Sequence, residues 1–472
     1  MSLTIIQKPL YKLIPANSPI IYTVSDVTSI ATKFKVKYIA DIHVHTAQSP
    51  ALTVINRVNT VKVSPNANGV GILDIKSILS SQVDTQRMGS VSGDGSTFKT
   101  FSDPHAIHLI DEFARGEDST RWYTIVFKVE YSDTNGGIVY DSGQSLADDS
   151  RAIFNGYLKN TDIIQQTGLD YGYDLDSNGY IMNNNTAKFL SNMPSQLYAR
   201  LTDFGTASFF GMLDSSDYVF ETGTNGSDGT VASIRFDFKT DAASISSLYR
   251  DINYSSGYQT NYSTDCRVVT CIAGIYPANL KVNSTFINAL SDGMTNYDVM
   301  AVDSTGAIIS QIYNIKFINN DCKGFEGIRL AWLNQFGGFD YYTFNKKSIR
   351  TLKVNRQNYT QHSGTWNGLS FDMNNAIGGN RSYNTSSKEE ITINTDYITE
   401  EEGISFEELL ISPEVYLINE YEADDSNGLT NKYVEPVMLI NNEIVRKTKA
   451  NDKLIQHSFT IEKSKNTNTQ NI

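Results

Sequence analysis

Residues 33–45, KFKVKYIADIHVH, alternate apolar and polar side chains with a period of two, a pattern that gives an extended strand one buried face and gives a helix none. Phe34, Val36, Tyr38, Ala40, Ile42 and Val44 are expected to face a core, and Lys33, Lys35, Lys37, Asp41, His43 and His45 to face solvent. The same period returns at 124–131 (TIVFKVEY). There Asp133, Asn135, Gly136 and Gly137 supply turn chemistry before IVY, so the segment reads as a β-hairpin. It returns again at 233–240, 267–276 and 307–319. At 327–344, GIRLAWLNQFGGFDYYTF, two strands flank a Gly-Gly turn.

Helical signals are few. LDIKSILSSQ at 73–82 reads as one short helix. Thr399 with Glu402 three residues later has capping-box spacing ahead of Phe406, Leu409 and Leu410, which places a second near 399–411. The expected fold class is therefore mainly β: two or three β-sandwich domains, Ig-like or jelly-roll-like, with long loops and few short helices. A chain of 472 residues exceeds one ordinary core and allows that number. The pattern divides it into an N-terminal sandwich at 1–145, a loop-rich middle β domain at 146–325 and a C-terminal β domain at 326–472. After Pro413 the strands are expected to be EVYLINEY, VEPVMLI, EIVRKTK and HSFTIEKSK, with Asn441 and Asn442 as a two-residue turn and KNTNTQNI as a frayed tail.

Charge narrows the function. Lys and Arg number 39 against 52 Asp and Glu, a net −13, so no footprint for a nucleic-acid binder appears and no specific nucleic-acid partner is expected. No apolar run is long enough for a membrane-spanning helix, and the N-terminus lacks a signal-peptide pattern. Three cysteines without a CxxC pair argue against a disulfide framework or a four-ligand zinc site.

Catalytic patterns do not survive inspection. DIHVHTAQSP at 41–50 resembles the metal-binding opening of PHP-type phosphoesterases, but those sites need further ligands spread over a βα-barrel. This chain has six histidines in all, so a surface pair of strand histidines is the better reading. Asp174, Asp176 and Asn178 have the spacing of a calcium loop. Asn185 stands where an EF-hand has Glu, and no flanking helices appear, so the segment is a weak calcium candidate beside an ordinary Asx turn. P-loop, HExxH and GxSxG signatures are absent. The reading expects no enzyme and no cofactor. Tyrosines in LDYGYDLDSNGYI and DINYSSGYQTNYS are candidates for a sugar platform or for subunit interfaces.

At 327–344 the sequence resembles a pattern in virion proteins of tailed phages that infect Bacteroidetes-type hosts, including crAss-like podoviruses. Arg329, Trp332, Leu333, Asn334, Gly337, Gly338, Phe339, Asp340 and Phe344 carry the likeness. A second echo is ITEEEGISFEELLISPEVYLI at 398–418, followed by PVMLI. The resemblance implies a collar, ring or tail component stacked between portal and tail, made in the host cytoplasm and residing in the virion. Its implied partners are other virion proteins (portal, ring or tail subunits) and its own copies in a homo-oligomeric ring. It makes Arg329, Trp332, Asn334, Gly337, Gly338, Phe339, Asp340 and Phe344 structural or interface candidates. The alternative is a glycan- or receptor-binding tail protein, with or without glycosidase activity.

Overall fold

A computed structural model of the chain describes residues 3–45, 56–85, 87, 105–108, 113–115, 119–133, 135–159, 162, 164–165, 171–211, 231–252, 269–318, 325–366, 368–373, 376–419, 433–441, 443, 456–465 and 467–468. The protein is mainly β and sandwich-like, with 49% of the described residues in strands and 11% in helices, so strand pairing and not helix packing must account for its cores.

Among the described residues the chain forms two compact units. One comprises Met1–Ile318 and Leu333–Asp340, the other Asn319–Trp332, Tyr341–Glu420 and Lys432–Ile472. The expected break near 145 is not a boundary. Leu13–Pro15 pairs in parallel with Arg151–Phe154, and Phe113–Arg115 pairs antiparallel with Val269–Gly274. Tyr11, Leu13 and Trp122 also share a core with Leu175, Tyr180, Leu190 and Phe210. Strands distant in sequence complete each other's sheets, which local periodicity does not record.

In the first unit, a three-stranded sheet (Thr4–Gln7, Ile21–Ser25, Val70–Asp74) faces a six-stranded one in which Phe34–His45 lies between Thr120–Ser132 and Arg57–Val63. Tyr22, Val24 and Leu73 meet Tyr38, Ala40, Ile42, Tyr123, Ile125 and Phe127 in one core. Val36, Tyr38, Ala40 and Ile42 face this core as the alternation of 33–45 expects, but Asp41, expected in solvent, is buried on the opposite face. Phe34 is instead exposed, because the pairing with Thr120–Ser132 shifts register between Phe34 and Lys37 and Lys35 takes a positive φ. The expected hairpin at 124–139 forms, with Asp133 N donating to Gly137 O at 2.9 Å. Two further sheets of the unit hold five and three strands. The five-stranded sheet carries an aromatic group in which Phe238 lies edge-on to Tyr297 and to Phe286 of the helix Ser284–Ser291.

The second unit is built on one eight-stranded sheet that runs from Phe339–Phe344 through Ile328–Leu333, Val415–Ile418, Val434–Leu439, Ser458–Lys463 and Gly379–Asn394 to Ile349–Gln361. The helix Glu400–Ile411 starts at the expected capping box, with Glu402 N donating to Thr399 Oγ1 at 3.2 Å and Thr399 N to Glu402 Oε2 at 2.8 Å. It buries Phe406 and Leu409. The helix expected at 73–82 is realised as Lys76–Ser80. Val434–Leu439 pairs with Ser458–Lys463; the expected turn at Asn441 and Asn442 and the strand EIVRKTK fall largely outside the described residues. The tail is not wholly frayed, since Thr467–Asn468 pairs with Ser386 and Ser387.

Candidate interaction surface

The residues carrying the resemblance lie inside the protein. Arg329, Trp332, Asn334, Gly337, Gly338, Phe339, Asp340 and Phe344 are all buried. In the second unit Trp332 is stacked on Phe406 with ring centroids 6.1 Å apart, and Phe344 packs on Phe406 and Phe459. Arg329 Nη1 donates to Thr343 Oγ1 at 2.8 Å, and the guanidinium lies over the Tyr341 ring.

The turn Leu333–Asp340 belongs to the first unit and is organised by Asn334. Its side-chain oxygen accepts from Phe336 N at 3.0 Å and Gly338 N at 3.1 Å. Its Nδ2 donates to Leu190 O at 2.8 Å and to Asp340 Oδ1 at 3.0 Å, so two acceptances and two donations occupy the whole amide. Ser191 Oγ adds a 2.6 Å bond to the same Asp340 oxygen. Of the two glycines, Gly337 alone has a positive φ, +78°, and a Cβ there would collide with the Asn155 carbonyl. Gly338 is small for another reason: a Cβ would sit 2.7 Å from Ser208 Oγ. Phe339 packs beside His105, whose imidazole burial holds at a pKa of about 3; burial likewise lowers His108 to about 4. These residues build the interior and present no surface.

The other sequence candidates are also engaged internally. His43 and His45 are buried, not a surface pair, because cross-strand neighbours on the same face cover that half of the strand. Asp41 accepts from Lys128 Nζ and Thr60 Oγ1, both at 2.6 Å. Burial opposes ionisation of its carboxyl, but these bonds and the Arg57 charge outweigh it and lower the pKa. His45 Nε2 lies 3.2 Å from Thr124 Oγ1. At the calcium candidate, Asp174 Oδ1 accepts from the backbone of Asp176 and Ser177, Asn178 Nδ2 donates to Asp174 O, and Asp176 Oδ1 accepts from Asn183. This is an Asx turn closed on itself. Among the described residues no group of three or more His, Cys, Asp or Glu is placed to hold a metal ion. Tyr180 is buried against Phe336, and the Tyr171 hydroxyl bonds the backbone of Ile21. The tyrosines at 254, 258 and 262 lie outside the described residues.

The accessible feature is a second hairpin that the sequence reading passed over. Ile349–Gln361 and Gly379–Asn394 pair over thirteen positions. Every described residue from Ile349 to Thr360 is exposed, on both faces of the strand. This strand is the sheet's last, and its partner gains a third strand, from Ser458–Lys463 and Thr467–Asn468, only as far out as Ser386, opposite Asn355. At the base, Arg350 bonds Glu389 and Glu326; burial lowers its pKa, and these carboxylates more than reverse that. Further out Tyr359 meets Tyr383 edge-on. The tip is ordered by its own contacts: Trp366 packs on Phe371 at 5.4 Å, Trp366 Nε1 donates to Ser363 O, and Thr365 N donates to Asp372 O. It nonetheless presents Trp366 (76% exposed), Leu369 (92%), Phe371 and Met373 to solvent. Single exposed apolar residues are ordinary, but four within eight positions on an unsupported hairpin form a patch of the kind found at protein contacts. A sequence signal for it exists: 350–361 has only Leu352, Val354 and Tyr359 as apolar residues, and they do not fall on one face of a strand, so neither face reads as a core face.

No family model matches this chain, and no curated protein matches it. Among solved structures, one similar chain is the native conformation of E. coli alpha-2-macroglobulin, at 8% identity and a TM-score of 0.18. The match covers 83% of this chain and 22% of that one, so this chain spans about a fifth of its length, and neither fold nor function is carried over from it.

Proposed function

We propose that this chain is a structural component of a tailed-phage virion, one that forms or joins an oligomeric collar, ring or tail assembly between portal and tail. It works by contacting other virion proteins and its own copies, and turns over no substrate. The observation that carries the contact part of this reading is the hairpin of 349–394, hereafter the arm. A two-stranded ribbon with both faces in water is marginal on its own, and an apolar tip adds a further cost in solvent, so the arm is most stable when another surface covers it. The virion part rests on the resemblance at 327–344 and 398–418. The residues of that likeness serve this role from the interior, by fixing the hairpin that precedes the arm.

Mass spectrometry of purified particles, with symmetry-resolved imaging of neck and tail, is the test. The expected result is a stoichiometric component in a cyclic layer beside portal, ring or tail subunits. Absence from particles, or presence only in trace, overturns the reading.

A further inference from the structure

We infer that the arm of 349–394 docks on a second copy of this same chain, on the acidic surface outside that copy's own arm. This rests on the proposed role as an assembly subunit and names the partner that the arm takes within it.

Charge selects the partner. The chain carries 52 Asp and Glu against 39 Lys and Arg. From Ile349 to Asn394 the balance reverses: Arg350, Lys353, Arg356, Arg381 and Lys388 face only Asp372, Glu389 and Glu390. The two glutamates sit at the base, where they pair with Arg350 and Lys353, and Lys388 bonds Glu462. Beyond these pairs the arm holds Arg356 and Arg381 against a single carboxylate. The rest of the chain is then more acidic than the total of −13. Like copies repel through such bodies, and the arm is a segment that can approach one without repulsion.

The same charges disfavour the simplest alternative, in which the edge strand Ile349–Gln361 pairs with itself across a twofold axis. That strand has three cations and no anion, and with Arg350 and Lys353 held by Glu389 and Glu390, self-pairing still brings Arg356 toward its own copy with no carboxylate on the strand to meet it. An arm on a different surface of the next copy is instead a heterologous contact, which propagates from subunit to subunit and closes into a ring where the rotation allows. The apolar tip supplies anchors for the contact and the basic stem supplies orientation. Trp366, Leu369, Phe371 and Met373 have the character of central contact residues, and Arg356 and Arg381 that of a charged rim.

The test uses the purified full-length chain with a photo-crosslinking residue at Leu369, the most exposed tip position. Irradiation across a concentration series, at low and high salt, is followed by native mass spectrometry and peptide mapping. The expected result is covalent oligomers of this chain, linked from the tip to acidic segments outside 349–394, and fewer of them in high salt. Trp366→Ala is expected to weaken self-association about 30-fold, the loss that follows removal of a central aromatic anchor. Arg356→Glu with Arg381→Glu is expected to abolish the salt dependence. Trp366 and Arg356 are exposed, whereas Arg381 is half-buried and donates to Ala376 O, so an unchanged circular dichroism spectrum is required of both variants to verify folding. Monomers at every concentration, or links only within one chain, overturn the inference, as do links that join arm tip to arm tip. A tip linked in purified particles to a different protein also overturns it and leaves the assembly role standing. Absence from particles counts against that role instead, and not against contact between copies.

Discussion

Two hairpins follow one another in this chain, Ile328–Phe344 and Ile349–Asn394, and they have opposite fates. Both are antiparallel, both carry aromatic residues, and both use glycine in their connections. The first is buried at every position but the half-buried Tyr342, and its turn is locked by a saturated Asn334 amide. The second keeps Ile349–Thr360 in water on both faces of its strand. Aromatic content therefore does not separate a core from a contact surface here. Neighbouring strands do: the first hairpin gains Val415–Ile418 on its edge and Phe406 over its Trp332, whereas the outer arm has only its own partner strand.

The sharpest way to break this contrast is to remove the same residue type from each hairpin. Trp332→Ala should destabilise its unit by about 3–5 kcal/mol in urea denaturation, as truncation of a fully buried aromatic does. Trp366→Ala should stay within about 0.5 kcal/mol of wild type, as exposed substitutions do. Similar losses at both sites would mean that the arm is packed and that the contrast is wrong.

Glycine gives a second pairing. Gly337 and Gly368 share a positive φ, +78° and +79°, but a Cβ meets the Asn155 carbonyl at the first and nothing within 4 Å at the second. Gly337→Ala should cost about 3 kcal/mol, from left-handed strain plus a backbone collision. Gly368→Ala should cost only the strain, about 1 kcal/mol. Thermal melts of the two variants decide it.

Acid should reach the first hairpin through its surroundings. His105, which packs on Phe339, and His108 are held neutral by burial, with folded pKa values of about 3 and about 4. Both lie below the unfolded value near 6.5, so the unfolded chain binds protons first. Stability is then full above about pH 6.5 and falls as pH drops from there toward the folded values. At pH 5.5 the loss should be about 1.4 kcal/mol for each histidine. Denaturant midpoints between pH 7.5 and 5.5, compared with a His105→Phe variant, measure it; a slope unchanged in the variant would remove His105 from the account.

The smallest effect is expected at the base of the arm. Arg350→Ala removes exposed bonds to Glu326 and Glu389 and should cost about 0.5 kcal/mol or less, shrinking further in salt. A larger loss in a chemical melt would show the arm's base to be more desolvated than its exposure implies.

The comparison also explains what could be read in advance. Capping chemistry at Thr399 and Glu402 and turn chemistry at Asp133–Gly137 were legible, because each satisfies backbone groups a few residues away. The burial of Val36, Tyr38, Ala40 and Ile42 was legible for the same kind of reason: alternation is a local consequence of the pleat. His43 and His45 were misjudged as surface residues, because what covers them comes from a distant strand: Thr124 lies across from His43 and reaches His45 Nε2, 79 residues away in the chain. The residues of 329–344 nominated as structural or interface candidates are buried, and the accessible patch lies in the next hairpin.

By itself, then, the amino-acid sequence determined that this protein is a β protein, where several of its strands and its capped helix lie, and that its charge is acidic, since all of these depend on side chains close together in the chain or on composition alone. Tertiary structure decided which sheets share a core across residue 145, which polar groups are covered and which hairpin stays in water. The physical reason is that burial is a property of what packs from elsewhere. A strand with a suitable face becomes core only when a distant partner removes its water, and Ile349–Gln361 has on its outer edge no such partner among the described residues.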